Sequence, residues 1–389
     1  MTELKRRAAD AAQDIAERLQ EPSELADGSS LWRGHPGIAV LYAAMSAHDS
    51  SWAAATNARL TAARSPTMTG DAAADLVPAA LIHHRAHGGY EGLLRQAGTA
   101  LAVLCRSRVA AQRRGWEKDG PGVAMSDYDV VSGLAGQGRT LLALAEHGLD
   151  VCAEALTAVL GHLVAITEPI MVRGKEVPGW WCSPRHYTEE LDRNHYPDGD
   201  FNVGLAHGIS GPLALLAIAH DRGYRAEGME PAMRRIVDWL LCGRFADEHG
   251  PLWPHRIGIA DQLAGRVEPG PTRAAWCYGT AGVAHALNLA GRALDHAEAM
   301  SVAGSALEGV FKRPWRRANL NDTALCHGMA GLLQIVRHST NADGLVQKIV
   351  EGGTPAGKAG LLEGAAGVGL ALASYAGICA EWDSVLLLS

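Results

Sequence analysis

Two cysteines and a histidine in this 389-residue chain stand immediately before Gly-x-x-Gly turns: Cys277 in Trp276-Cys-Tyr-Gly279, and Cys326 with His327 in Cys326-His-Gly328. Adjacent residues on a regular helix point about 100° apart, so Cys326 and His327 share an ion only in the non-helical turn ahead of a helix. Cys277 and Cys326 lie in one register, two places before the first glycine of their turns. Zinc held by Cys277, Cys326 and His327 has three protein ligands and an open fourth position, the arrangement of a catalytic rather than a structural site. Two thiolates and a neutral imidazole cancel the divalent charge, so an incoming thiol binds as thiolate and stays electron-rich. A free thiol has a pKa of about 8.5, and coordination to zinc deprotonates it. One zinc per chain is expected here to prepare a sulfur nucleophile, and amide hydrolysis suits so sulfur-rich a shell less well.

Further groups fall in or near the same register. His207, in His207-Gly-Ile-Ser-Gly211, precedes its glycine as His327 does and could supply an acid or base. Asp129, in Tyr128-Asp-Val-Val-Ser-Gly133, either caps the following helix or orients and charge-pairs His207, with Asp127 as its competitor. Arg273, four residues before Cys277, could hold an oxyanion or simply be exposed; Tyr278 could donate a hydrogen bond or pack. His83, His84 and His285 have no registered partner and are read as structural.

The elements that position these groups form an internal repeat. Turns occur at Gly34-His-Pro-Gly37, Gly133-Leu-Ala-Gly136, Gly208-Ile-Ser-Gly211, Gly279-Thr-Ala-Gly282, Gly328-Met-Ala-Gly331 and Gly364-Ala-Ala-Gly367. A degenerate copy at Arg95-Gln-Ala-Gly98, with Arg95 in place of the first glycine and an apolar segment over 99–105, brings the count to seven. After each turn comes an Ala/Leu/Val-rich stretch apolar nearly all round, as buried helices are. Between them lie segments with one apolar stripe and a charged face, such as Val151–Ile166, Pro231–Cys242 and Ala297–Arg313. Alternation of the two kinds predicts an inner and an outer layer of helices, with seven pairs able to close a ring. The first glycine is expected to admit positive φ and the second to let the helix start pack closely. The stretch 168–202, rich in aromatics and prolines, reads as an extended or hairpin-bearing insertion, and Gly250-Pro-Leu-Trp-Pro-His-Arg-Ile257 as a similar patch. The whole chain, 1–389, is expected to be one domain.

Composition narrows the function. A net charge of −7 and no Lys/Arg cluster interleaved with aromatics exclude a nucleic-acid binder. With 45 glycines and 3 phenylalanines the chain suits small-residue helix packing better than a β-sandwich. Met1–Gln20 has the pattern of an amphipathic surface helix rather than a signal peptide, which predicts a cytoplasmic protein with no transmembrane segment. Phe201–His220 lacks charge and is long enough to span a bilayer, but its glycines, Pro212 and repeat motif speak against that. The seven cysteines lack framework spacing, as reduced thiols do.

Trp276-Cys-Tyr-Gly279, Cys326-His-Gly328 and Gly204-Leu-Ala-His-Gly-Ile-Ser-Gly-Pro212 together resemble the lanthionine synthetase C-like family, the lanthipeptide cyclases. Tyr128-Asp129 ahead of its turn, Trp180-Trp181 and Trp253-Pro254 add to the resemblance, which runs from the first turn to the last. It implies an all-α, double-layered α/α toroid of seven inner and seven outer helices with a short β insertion, and one zinc in its cavity. It also implies addition of a precursor peptide's cysteine thiols to dehydroalanine or dehydrobutyrine, closing thioether rings. Cys277, Cys326 and His327 then match the zinc ligands, His207, Asp129 and Arg273 the acid/base and enolate-handling positions, and Tyr278 a residue beside them. With no dehydratase domain in the chain, the resemblance implies the stand-alone, class I type, which takes a leader-bearing dehydrated precursor and works with a separate dehydratase. Two other readings keep the zinc: addition of a small thiol such as glutathione to dehydroamino acids in proteins, and a non-catalytic peptide-binding scaffold.

Overall fold

The computed structural model describes residues 2–21, 28–64, 70–320 and 322–389. Among them are fourteen helices of eight residues or more. In chain order these are α1 (Glu3–Arg18), α2 (His35–Ser46), α3 (Ala53–Ala63), α4 (Gly70–His87), α5 (Glu91–Asp119), α6 (Leu134–Glu146) and α7 (Asp150–Ala165). Then follow α8 (Ser210–Asp221), α9 (Met229–Cys242), α10 (Thr280–Ala293), α11 (Ala297–Lys312), α12 (Met329–Val336), α13 (Ala342–Gly352) and α14 (Ala365–Ala376). No described helix is long and apolar enough to cross a membrane.

Two kinds of helix alternate, as the hydropathy pattern requires. In α2, α8 and α14 nearly every residue is buried, whereas α1 buries only the stripe Ala8, Ala12, Ile15 and Ala16 and α9 only one face. Contacts gather into two compact units, residues 1–101 with 320–385, and residues 102–319 with 386–389. In the first, buried helices α12, α14, α2 and α4 follow one another side by side, and α3, α13 and α1 pack against α2, α12 and α14. The first helix of the chain thus pairs with the last long one. In the second, α6, α8 and α10 adjoin, partnered by α7, α9 and α11.

The glycines act through close approach. A β-carbon on the second glycine of a turn would meet the carbonyl oxygen of the residue six before it: 2.0 Å for Gly136 and Val130, 2.2 Å for Gly282 and Trp276, 2.0 Å for Gly367 and Leu361. One on the first glycine would meet the backbone nitrogen four before it, at 2.3 Å for Gly133, 2.4 Å for Gly208 and 2.5 Å for Gly364. Positive φ at the first glycine occurs only at Gly279 (+86°); Gly34, Gly133, Gly328 and Gly364 are extended. The expectation of a left-handed turn therefore gives way to one of steric exclusion. Turns are also stitched sideways. Val130 N–H donates to Ala206 O (2.9 Å) and Ala206 N–H to Cys277 O (3.2 Å) in one unit; Cys326 N–H donates to Leu362 O (2.8 Å) and Leu362 N–H to Trp32 O (3.2 Å) in the other.

The seventh repeat is placed differently from the sequence reading. Arg95–Gly98 forms no turn but lies inside the 29-residue helix α5, and the buried helix of that repeat is α4. Leu93, Leu94, Ala97 and Leu101 recur there at helical spacing and are buried, while Arg95, which replaces the glycine, takes the solvent side of an uninterrupted amphipathic helix. The insertion does bear a hairpin, β1 (Ile170–Val172) with β2 (Lys175–Val177). It ends in β3 (Asp200–Asn202), and a second hairpin, β4 (Phe245–Asp247) with β5 (Gly250–Leu252), precedes β6 (Arg256–Gly258), which pairs antiparallel with β3.

Gly136→Ala should lower unfolding free energy by about 1–3 kcal/mol, since neither carbonyl nor helix start can withdraw cheaply. Gly161→Ala in α7, whose β-carbon would meet nothing within 4 Å, should be neutral or gain about 0.5–1 kcal/mol. Denaturant unfolding of the two proteins measures the contrast; equal effects would remove the close-approach account.

Candidate functional site

Seen from the turns, one position carries the polar chemistry. The residue just before the first glycine is Arg33, Ser132, His207, Tyr278, His327 and Glu363 in the six turns. In the second unit, Ser132, His207 and Tyr278 come together with Asp129. Asp129 is 2% exposed, and its Oδ1 accepts from Ser132 N–H (2.7 Å), Gly133 N–H (2.6 Å) and the Ser132 hydroxyl (3.2 Å). Its Oδ2 lies 2.6 Å from His207 Nδ1. The two sequence alternatives for Asp129 are thus both realised, one oxygen capping the turn and the other orienting the imidazole. Asp127 instead accepts from Ala124 N–H at 3.0 Å and caps the short helix Met125–Tyr128.

Asp129 holds Nδ1 of His207, so Nε2 is the ring nitrogen left for another partner. Burial is the largest influence on His207 and opposes its protonation. The hydrogen bond and charge of Asp129, with Cys277 adding, outweigh it and raise the pKa above the ordinary histidine value. His207 keeps 39% of its side chain exposed. Cys277, in the neighbouring turn, is buried, and its carbonyl takes the N–H of Ala206, the residue before His207.

Tyr278 closes the other side of this group, its ring centroid 6.2 Å from that of His207. Its oxygen accepts from Asn202 Nδ2 at 2.9 Å, and burial pushes its pKa up to about 12, so it keeps its proton to donate. His255 also lies against Tyr278, ring centroids 5.0 Å apart. Burial, and then the charge of Arg273, lower the His255 pKa to about 4. Nε2 of His255 and Nε of Arg273 are both buried without a hydrogen-bond partner among the described residues, a condition that costs about 1–3 kcal/mol per group.

Asn202 and His255 were not legible as site residues. Each belongs to an irregular stretch, and what brings them to Tyr278 is the β3–β6 pairing, Asn202 opposite Arg256, with Val203 N–H donating to His255 O at 3.1 Å. Arg256 clamps the pairing through Asp192 and the fully buried Asp200, and lies 4.5 Å over the Tyr196 ring. Ser132 carried a signal, the repeat register itself.

In the first unit, Cys326 sits partly exposed in its turn, and His327 turns Nε2 toward Asp322 Oδ2 at 3.6 Å. Asp322, which the sequence reading also missed, accepts from Ala324 N–H at 2.9 Å and so is fixed by the turn it precedes. Glu363 pairs with Lys358 at 2.9 Å, and Lys358, with smaller help from His327 and Arg33, holds its carboxyl below the usual range. His83 is buried within α4 beside His87 and Tyr90, as a structural histidine would be.

The model of the lanthionine synthetase C-like protein family matches residues 25–387. Over 214 residues the chain is 28% identical to the nisin biosynthesis protein NisC of Lactococcus lactis subsp. lactis, a stretch covering 54% of this chain and 48% of NisC, about half that relative's length. Among solved structures, one titled Nisin cyclase superposes with a TM-score of 0.78 at 22% identity, over 99% of this chain and 97% of that one. At that identity the likeness shows the fold, an all-α toroid.

Asp129→Asn should move the His207 pKa from above to below about 6.5, because it removes the charge that raises it and leaves burial, which lowers it. Titration of the imidazole by NMR measures this, and an unchanged value would remove the ion pair as the cause. The pair's contribution to stability is complete below the unfolded-state value of about 6.5 and is lost as pH rises through the raised folded value.

Proposed function

The chain belongs to the lanthionine synthetase C-like family, and from that premise we propose that it is a lanthipeptide cyclase. It adds cysteine thiols of a dehydrated precursor peptide to dehydroalanine or dehydrobutyrine and so closes thioether rings, the whole chain acting as one catalytic domain. The observation that carries the reading is the His207–Asp129 pair, an imidazole of raised pKa set in the turn beside that of Cys277. A peptide-binding scaffold has no use for such a pair.

Cys277, Cys326 and His327 are the proposed ligands of one zinc ion. Two thiols and an imidazole are a zinc-preferring donor set. Asp322 Oδ2, 3.6 Å from His327 Nε2, is a carboxylate that would orient the ring of a ligating histidine. When bound there, zinc lowers the pKa of an incoming cysteine thiol, about 8.5 when free, so that the sulfur attacks as thiolate.

The chain's own residues serve the rest of the addition. As the new S–Cβ bond forms, the Cα=Cβ π pair moves toward the carbonyl, and a proton must then reach Cα. His207 delivers it from Nε2 while Asp129 holds Nδ1, so the proton lost by the thiol is balanced by the one gained at Cα. Arg273, with its guanidinium charge, and Tyr278, with a phenol that stays protonated, answer the negative charge on the enolate oxygen. The peptide's serines and threonines are dehydrated beforehand by a separate dehydratase, the proposed working partner.

Purified protein should carry about one zinc per chain, and Cys326→Ala should lose it in metal analysis; equal zinc in both would remove the metal assignment. His207→Ala should retain zinc yet slow ring closure by about 10²–10⁴-fold. Mass spectrometry of a dehydrated precursor after alkylation of its remaining thiols reads this, and ring closure at the unmutated rate would overturn the role of His207. Fully alkylated peptide after incubation with the unmutated, zinc-loaded enzyme would count against cyclase activity itself.

A further inference from the structure

We infer that His255 is a further substrate-contacting group of this site: together with Arg273 it receives the carbonyl oxygen of the reacting dehydro residue and donates a hydrogen bond to the charge that builds there. The inference rests on the cyclase reading and adds to it a residue from a stretch outside the repeat.

Three observations carry it. First, His255 is built into the site. Its carbonyl accepts from Val203 N–H at 3.1 Å, its neighbour Arg256 is locked to Asp200 and Asp192, and its ring lies against that of Tyr278. Second, its Nε2 is buried with no partner among the described residues, and so is Nε of Arg273, whose charge acts on it. Buried polar atoms are satisfied nearly everywhere in folded proteins, and exceptions gather where a ligand completes them. Third, the chemistry of the two atoms selects the ligand. Arginine can only donate, so whatever completes Nε of Arg273 must be an acceptor, and carbonyl or enolate oxygen is the acceptor that this addition provides. Burial and Arg273 keep the His255 ring neutral at physiological pH; as the Nε2–H tautomer it donates a hydrogen bond, and the proton for Cα comes from His207. The division is the familiar one between an electrophilic neutral imidazole and a separate acid.

The test uses the zinc-loaded full chain with N-acetyldehydroalanine methylamide as acceptor and N-acetylcysteine as thiol, so that no precursor peptide is needed. His255→Phe keeps a ring on Tyr278 but has no N–H; His255→Gln restores one. The Phe variant should lose about 10²-fold in kcat, with KM for the acceptor and zinc content within about twofold of the unmutated protein and the thermal midpoint unchanged, and Gln should recover part of the loss. Unmutated kcat in the Phe variant, or a loss that follows zinc or KM alone, would overturn the assignment. No acceleration by the unmutated enzyme would instead defeat the thiol-addition reading. The oxygen contact is then judged on its own by the imidazole ¹⁵N resonance of His255, identified by its absence in the Phe variant. The resonance should shift as the acceptor saturates, and an unmoved one overturns the contact whatever the rates show.

Discussion

At the turns of Gly37, Gly136, Gly282 and Gly367 a carbonyl oxygen of the incoming chain lies where the second glycine's β-carbon would be, and this near-contact of backbone with backbone sets the position of the groups described above. Because the approach is so close, the residue before the first glycine is left outside the helix that follows, with its side chain held at the helix start. Repetition of the turn repeats that placement. Bonds between neighbouring turns then fix one against the next: the Cys277 carbonyl takes the N–H beside His207, and the Cys326 N–H is spent on Leu362. Residues that carry the chemistry are therefore positioned by main-chain bonds that survive substitution of their side chains.

Electrostatic environment separates groups of one chemical type into different tasks. Two imidazoles flank Tyr278, and burial acts against the charged form of both. His207 has Asp129 at hydrogen-bond distance and is raised; His255 has Arg273 nearby and is lowered to about 4. Two side chains of one type are thus shifted in opposite directions around one tyrosine, and the difference traces chiefly to one carboxylate and one guanidinium. Asp129 can serve His207 only because its other oxygen is already anchored by the turn amides of Ser132 and Gly133.

Much of this was legible in the sequence because a turn that excludes β-carbons leaves glycines at fixed spacing, and a register is visible without any knowledge of contacts. Cys277, Cys326, His327 and His207 stand out as candidates in that way, and Asp129 by its place ahead of a turn. The repeat failed where the glycine was missing: at Arg95 the apolar spacing of Leu93, Leu94, Ala97 and Leu101 simply continues a helix, and the buried partner lies before it in α4. Asn202 and His255 were out of reach for another reason. They approach Tyr278 through a strand pairing between two irregular stretches far apart in sequence, and such pairing leaves no periodic mark on short segments.

The pairing of α1 with α14 has a consequence for how the chain comes to be folded. Helix α1 is synthesised well before α14 and carries a stripe of Ala8, Ala12, Ile15 and Ala16 that packs on it. At about 5–20 residues per second the stripe waits on the order of tens of seconds for residues 365–376. Helix-by-helix burial in chain order therefore cannot finish the first unit early, since it joins residues 1–101 to residues 320–385 across residues 102–319 of the second unit. Until α14 has been made, the apolar stripe of α1 lacks the cover that it has in the folded unit.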